Sequence, residues 1–448
     1  MSNVIVHPGV VLRGQPTLPG AKYATVRAVI AAALANGTSV VDGLPRTDDT
    51  AVLLDALARC GIALTWHGPE QIEIVGCNGT WPVANSKQPI ELDVGNAGAV
   101  LRLLLGVTAT LPEVRFVTQH TTSLGKRPNG DLLAALRQLG VVVGAREPDG
   151  LLPITLQRGM LHGGEVTISG TRSSQFISAL LLLAPLIGEP LTIHISDTLR
   201  STSFVRLTIA MLAQAGIVVE HDAHLRRMHI ASPQAFQPQT WRLPRDFPSA
   251  ATWLAAGTIA GGELTLQGLP TDAEDGVAVL AALRTMGADI TTLPGEEPGQ
   301  ITVMMRNGQS LHGATINGEP IIDSVPVLAA AACFAEGTTT FTNVATLRLK
   351  ESNRIDDLCE ELTRAGGEAI PGPDSITIVG HPAGIAGGVT VGAHNDHRLA
   401  MALALVALRS RAPLTIAGAE HVAKSYPRFW DELERLGAQI ERDSPSSP

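Results

Sequence analysis

Hydrophobic and polar positions along this chain follow two patterns that recur together. In the first, a helix of small apolar residues runs into a turn and an alternating strand follows. Its copies read AAALANGTSVVDGL, LGVTATLPEVRFVTQ, LLLAPLIGEPLTIHI, AAGTIAGGELTLQGL, AAACFAEGTTTFTNV and ALVALRSRAPLTIAG. The strands are predicted to start near Thr38, Val114, Leu191, Leu264, Thr338 and Leu414, a period of about 75 residues. In the second pattern a helix reaches a glycine in its last turn and a strand follows, as in LLAALRQLGVVV and LCEELTRAGGEAI. Gly61, Gly140, Gly216, Gly287, Gly366 and Gly437 fit the left-handed residue that ends a helix. Both patterns keep register, so the chain reads as six α/β repeats, each with two helices and several short strands. Periodicity alone leaves open whether they stack as one solenoid or close into domains. LPGEEPGQ and IPGPD are expected to be surface turns, and the terminal RDSPSSP a frayed tail.

Composition narrows the class. The 448 residues suffice for two or three domains, and a 45% hydrophobic content supports a large core. The formal net charge of -9 argues against a nucleic-acid coat and against a polybasic membrane anchor. The opening MSNVIVHPGV has no basic n-region or apolar h-region, and runs such as ISALLLLAPLIG are too short to span a bilayer. Cys60, Cys77, Cys333 and Cys359 form no CxxC pair and read as buried free thiols. A cytoplasmic location is expected, with no nucleic-acid and no membrane partner.

Against that acidic background, basic residues gather in short segments. They are PGAKYATVR with Lys22 and Arg27, VGNAGAVLR with Asn96, Gly98 and Arg102, GKRPNG with Lys126 and Arg127, LRLKESNR with Arg348, Lys350, Glu351 and Arg354, HNDHR with Asp396, His397 and Arg398, and AKSYP with Lys424. TRSSQF adds the donors Ser173, Ser174 and Gln175, and IIDSVP an isolated Asp323. Arginine offers a planar fork and lysine a compact charge to carboxylate or phosphate. Asp323 and Glu351 supply an acid/base pair, although Asp323 ahead of SVPV also fits a helix cap. HNDHR lacks further ligands at metal spacing, and neither GxxxxGK[ST] nor a strand-anchored GxGxxG is present. The inventory describes a site for two small anionic molecules.

The order of these segments resembles the EPSP synthase family of enolpyruvyl transferases from end to end. The shared run is PGxK…R, GNAG…R, RP, SSQ, a lone Asp, RxKExxR, DHR and KSYPxFW. The resemblance implies a two-domain inverse α/β barrel of six repeated α/β units, three per domain. It implies a discontinuous donor domain of residues 1–20 plus 246–448, and an inserted domain of residues 21–245 carrying most of the acceptor site. The reaction implied moves the enolpyruvyl group of phosphoenolpyruvate to the 5-hydroxyl of shikimate 3-phosphate, with no metal or organic cofactor, in a monomer. Lys22, Arg127 and Lys424, with Gly98 and Gln175, would face the donor phosphate, and Arg354 and Arg398 its carboxylate. Asp323 would take the acceptor proton and Glu351 would serve the donor methylene, with Lys22 also in the catalytic set. Ser173, Ser174, Ser201 and Lys350 would hold the acceptor phosphate and Arg27 its carboxylate. Lys22, Tyr23, Gln175, Phe204, Asp323 and Thr346 complete the acceptor set.

The chain departs from the family at the acceptor side above all. Tyr23 stands where the family usually has Ser, Phe204 where it has an aromatic hydroxyl, and Thr346 where Asn or another polar residue is common. GNAG is followed by Ala99, Val100, Leu101, Arg102 and Leu103, and Asn353 replaces the usual Asp. Two other readings stay open on these residues: a related transferase or addition–elimination enzyme acting on a different cyclic alcohol, and a catalytically silent binding paralogue.

Overall fold

A computed structural model describes residues 2–85, 88–271, 273–297, 299–306 and 311–442. Of the expected tail at 442–448, Arg442 is not frayed but ends the strand Ile440–Arg442, paired with Val4, and 443–448 lie outside the described residues. All described strands but isolated bridges fall into six four-stranded sheets. One repeat shows the plan. Strand Ile90–Asp93 leads to helix Gly98–Val107, then strand Glu113–Val117, helix Gly130–Gln138, and the hairpin Val142–Arg146 with Leu151–Gln157. The first two strands pair parallel, as a helical crossover requires, and the last strand inserts antiparallel between the second and third. All six sheets share this first–second–fourth–third order.

The helix-ending glycines have the expected backbone: φ is 88° at Gly61, 85° at Gly140, 81° at Gly216, 91° at Gly287, 95° at Gly366 and 120° at Gly437. Strands begin at or within two residues of the six sequence-derived starts. IPGPD joins the strands of a hairpin; Pro298 of LPGEEPGQ lies outside the described residues, and the strands on either side of that segment pair antiparallel.

Three sheets borrow a strand from far along the chain. Thr240–Arg242 supplies the first strand beside Thr38–Asp42. Leu12–Gly14 does the same beside Gly262–Pro270. Asn3–Val6 fills the inner place between Leu414–Ala417 and Ile440–Arg442. The repeats are thereby permuted across the ends of two compact units, an inserted one of Gly20–Leu243 and a discontinuous one of Met1–Pro19 with Pro244–Pro448. Each unit holds three sheets and has its own core.

Within a repeat the two helices differ. The first is apolar on every side and enclosed: all residues of Gly98–Val107 and of His397–Ala407 are buried. The second is amphipathic, as in Asp48–Arg59 and Arg354–Arg364, with an exposed charged face. Strands alternate, so each sheet turns one face to the enclosed helices and one to solvent, as Ser375–Val379 does. The four cysteines are free, and burial pushes the thiols of Cys60, Cys333 and Cys359 up to about 12. Among the described residues no helix is long and apolar enough to cross a membrane.

The enclosed helices Gly98–Val107 and Ser174–Ile187 meet backbone to backbone. A Cβ built on Gly106 would lie 2.4 Å from the carbonyl oxygen of Ala179. Gly106→Ala is expected to force the helices apart and cost about 1–3 kcal/mol, the range for overpacking a filled core. The check is a lower urea midpoint with an unchanged slope.

Candidate functional site

In the inserted unit the candidate residues stand at helix starts. Lys22 is the first residue of Lys22–Leu34 and ends 2.8 Å from Asp49, both side chains buried. Asp49 is the second residue of Asp48–Arg59, a helix capped by Thr47, which accepts from the Thr50 amide. Gly98 opens Gly98–Val107, and a Cβ there would lie 2.4 Å from Arg127 Nη1, so the guanidinium would have to move aside. Without a Cβ, Arg127 can lie against the helix start. Ser173 caps Ser174–Ile187 and Ser201, left-handed at φ 52°, precedes Thr202–Gln214.

Arg102 ties these starts together. Its Nη1 donates to Gln175 Oε1 at 2.9 Å and to Ser173 Oγ at 3.3 Å. Its Nη2 donates to the Pro128 carbonyl, and its plane faces the Phe176 ring at 5.0 Å. The resemblance gave Arg102 no role, yet it orients two side chains that have one. Asp49 was missed too, although RTDDT is a legible helix start. Lys126, beside Arg127, is exposed.

Arg27 sits under the acceptor candidates. Its Nε donates to Thr208 Oγ1 at 2.7 Å, Nη1 to the Tyr23 carbonyl at 2.8 Å, and Nη2 to Ser178 Oγ and the Phe204 carbonyl at 3.1 and 3.2 Å. Burial pushes the guanidinium down to about 10, with Tyr23 pulling the other way. The Tyr23 and Phe204 rings pack against each other, centroids 4.3 Å apart and tilted by 49°.

In the discontinuous unit the charges converge on Arg354, first residue of Arg354–Arg364 and 1% exposed. It donates to both oxygens of Asp396 at 2.6 and 3.1 Å, to Asp323 at 2.9 Å and to Glu351 at 2.9 Å. Burial works against the Arg354 cation, but Asp396, Glu351 and Asp323 outweigh it and raise its pKa. Lys350 approaches Asp323 at 3.2 Å and Lys424 approaches Glu351 at 3.5 Å. Asp323 does not cap a helix. Ser324 holds the cap position of Val325–Ala332, and Asp323 turns to Arg354 and Lys350 instead.

Asp396 caps His397–Ala407 by accepting from the Arg398 amide at 2.8 Å. Arg398 is 2% exposed, and its Nη1 is buried with no hydrogen-bond partner among the described residues. A buried guanidinium nitrogen left open is costly unless an anion completes it. Thr346 lies half-buried in the turn Ala345–Leu349. Asn353 caps Arg354–Arg364 through its own oxygen, a job that Asn and Asp do equally well. Among the described residues no cluster of three side chains is arranged to hold a metal ion.

Enclosed helices whose starts carry arginine, lysine and hydroxyl groups, together with carboxylates held beside them, define an enzyme that handles small anions. The comparisons with known proteins are narrower. A model of EPSP synthase (3-phosphoshikimate 1-carboxyvinyltransferase) matches residues 6–433. A 3-phosphoshikimate 1-carboxyvinyltransferase of Deinococcus radiodurans is 41% identical over 98% of this chain and 97% of its own. One from Burkholderia pseudomallei is 34% identical over 96% and 93%. A solved EPSP synthase from Acinetobacter baumannii superposes with a TM-score of 0.82 at 26% identity, covering 99% of this chain and 100% of its own. The chain belongs to the EPSP synthase family.

One carboxyl stands apart from the ion pairs. Asp275, near the start of Glu274–Thr285, is pushed up to about 6 by burial, and by Asp246 and Asp323. Its folded pKa thus exceeds the unfolded value of 3.8. The charged form is the disfavoured one in the fold, so its penalty is full above the folded value and gone below the unfolded one. Asp275→Asn is expected to stabilise the protein by about 1–2 kcal/mol at pH 7.5. The gain should shrink as pH falls from about 6 toward 4. Urea denaturation of both proteins across that range checks it, and a gain independent of pH would contradict it.

Proposed function

We propose that this chain transfers the enolpyruvyl (1-carboxyvinyl) group of phosphoenolpyruvate to the 5-hydroxyl of shikimate 3-phosphate and releases phosphate. The step belongs to the shikimate pathway, which leads to chorismate and the aromatic amino acids. The observation that carries the reading is the arrangement around Arg354: two carboxylates, Asp323 and Glu351, buried and each held by a lysine, on one guanidinium.

The chemistry needs such a pair. An enol ether is a poor electrophile until its methylene is protonated. In the addition half, Asp323 takes the proton of the 5-hydroxyl, oxygen attacks the donor C2, and Glu351 protonates the donor methylene. The product is a tetrahedral phosphate ester. In the elimination half the methyl group gives its proton back to Glu351, the C2–O bond to phosphate breaks, and the vinyl ether remains. Positioned acids and bases contribute about 10²–10⁴-fold each.

Anion binding divides by residue. Lys22, Arg127 and Lys424, with Gly98 and Gln175, take the donor phosphate, and Lys22 and Lys424 also screen the charge that grows as it leaves. Arg354 and Arg398 fork the donor carboxylate. The open Nη1 of Arg398 supports this, as does the planar geometry of both groups. Ser173, Ser174, Ser201, Thr346 and Lys350 take the acceptor phosphate. Tyr23, Arg27 and Phe204 face the acceptor carboxylate and ring. Four free cysteines suit a reducing cytoplasm, and a monomer suffices for these assignments.

The direct test is phosphate release from phosphoenolpyruvate with shikimate 3-phosphate, compared with unphosphorylated shikimate. Release is expected with the first and far less with the second. No release with shikimate 3-phosphate, but release with another cyclic alcohol, would transfer the reading to that acceptor.

Asp323→Asn should leave binding of both substrates largely intact and cut turnover by about 10²-fold or more. Near-normal turnover in a folded variant would remove Asp323 from the proton transfer.

Tyr23→Ser should tighten shikimate 3-phosphate and leave phosphoenolpyruvate binding nearly unchanged. A short hydroxyl near the backbone can reach a carboxylate that a rigid ring holds off, a contact worth about 1.5–3 kcal/mol, or roughly tenfold and upward in affinity. Titration calorimetry separates the substrates, and weaker acceptor binding would make Tyr23 a positive contact.

A further inference from the structure

His394 and Asn395 are consecutive non-glycine residues in the left-handed region, with φ of 50° and 57°. They run directly into Asp396. Side-chain-bearing residues hold such backbone only where the surroundings impose it, and two in succession call for an anchor outside the turn.

The anchor is the imidazole of His394. Its Nε2 lies 2.8 Å from Glu361 Oε1 and its Nδ1 3.8 Å from Asp357 Oδ1. Asp357 and Glu361 are four residues apart, one turn along the same face of helix Arg354–Arg364. The Glu361 side chain is 4% exposed, and its second oxygen faces Arg364 Nε at 3.1 Å. That helix begins with Arg354, which Asp396 grips through both of its oxygens. Turn and helix are therefore joined at two points, Asp396 to Arg354 at the helix start and His394 to Glu361 two turns farther on. Asp396 also caps the next helix at the Arg398 amide. The left-handed turn thus sets where one carboxylate sits, and that carboxylate sets the Arg354 guanidinium and the backbone start of the helix that carries Arg398.

We propose that His394 is a positioning residue for enolpyruvyl transfer: bonded to Glu361, it holds the turn 393–396 so that Asp396 keeps Arg354 and Arg398 in the geometry that forks the donor carboxylate. The inference rests on the donor assignment of those two arginines. A planar fork tolerates little rotation, and a small misplacement far from the reacting atoms costs rate or affinity out of proportion to its size.

The test compares His394→Ala, His394→Asn and His394→Gln, with Arg398→Gln as reference. KM for each substrate, kcat and the dissociation constant of phosphoenolpyruvate are measured. Asparagine accepts left-handed backbone but is too short to reach Glu361, whereas glutamine can still donate to it. Alanine and asparagine are expected to raise KM and the dissociation constant for phosphoenolpyruvate about tenfold. KM for shikimate 3-phosphate should stay within about twofold. Glutamine should restore most of the loss, and His394→Ala combined with Glu361→Ala should be no worse than His394→Ala alone. If alanine fails to fold, the asparagine–glutamine comparison carries the same decision.

A lower melting temperature with unchanged phosphoenolpyruvate affinity would make His394 a structural anchor only and overturn the inference. So would a glutamine variant as impaired as the asparagine one. A rise in Arg398→Gln without one in the His394 variants overturns the inference and leaves the donor assignment standing. No rise in either overturns both.

Discussion

The enclosed helices constrain everything else in this fold. Gly98–Val107 and His397–Ala407 have no solvent-facing side. A helix of that kind is stable only when sheets and other helices cover it completely, which the repeated arrangement provides. Inside such a core a polar side chain has no water, so a lysine or arginine stands near a helix start or, like Arg27 and Arg102, is met by protein hydrogen bonds farther in. The helix starts are also where amide N–H groups lack partners and where the peptide dipoles leave positive charge. Burial and anion binding thus select the same places. Lys22, Gly98, Ser174 and Arg398 all lie within two residues of a helix start for this reason. Gly98 leaves room at its helix start for the Arg127 guanidinium.

Arg354 governs the other half of the chemistry. Asp323 and Glu351 are both bonded to it, and each has one lysine besides. Their protonation states are consequently not independent. The two share one cation, so a loss of charge on either changes how tightly Arg354 holds the other. In the proposed addition half, a proton gained by Asp323 and one lost by Glu351 would leave the total charge beside the guanidinium unchanged. Removing either carboxylate takes one anionic partner from a buried cation that keeps the other and Asp396.

Much of this was legible along the chain, and the parts that were not share a cause. The six glycines could be read because a left-handed helix end needs a residue without Cβ, a local requirement. The strands that follow could be read because alternation survives on a half-buried sheet. Thr240–Arg242, Leu12–Gly14 and Asn3–Val6 could not be assigned to their sheets, because three or four residues carry no period and their partners lie far along the chain. The basic segments stood out by residue type, but Arg102 as organiser of Ser173 and Gln175 did not, since pairing depends on which helix starts meet. Asp323 was ambiguous between cap and base by sequence. Its turn away from the cap position comes from Lys350 and Arg354, residues beyond the reach of any local pattern. The link from His394 to Glu361 is of the same kind.

Arg27 is held by the backbone of two residues at which the chain departs from its family. Its four hydrogen bonds go to two carbonyls and two hydroxyls, all neutral. Burial lowers its pKa only to about 10, so the guanidinium remains charged at neutral pH with no acid among its described partners. A buried cation in neutral surroundings is tolerated at a cost that a bound anion offsets. Two of the neutral acceptors are the carbonyls of Tyr23 and Phe204, the residues whose rings pack together. A ligand that moves either ring strains the backbone that holds Arg27, and a ligand that fits beside both leaves it in place. Changes at positions 23 and 204 can therefore shift the carbonyls that hold Arg27, which is how the proposed acceptor side would be retuned.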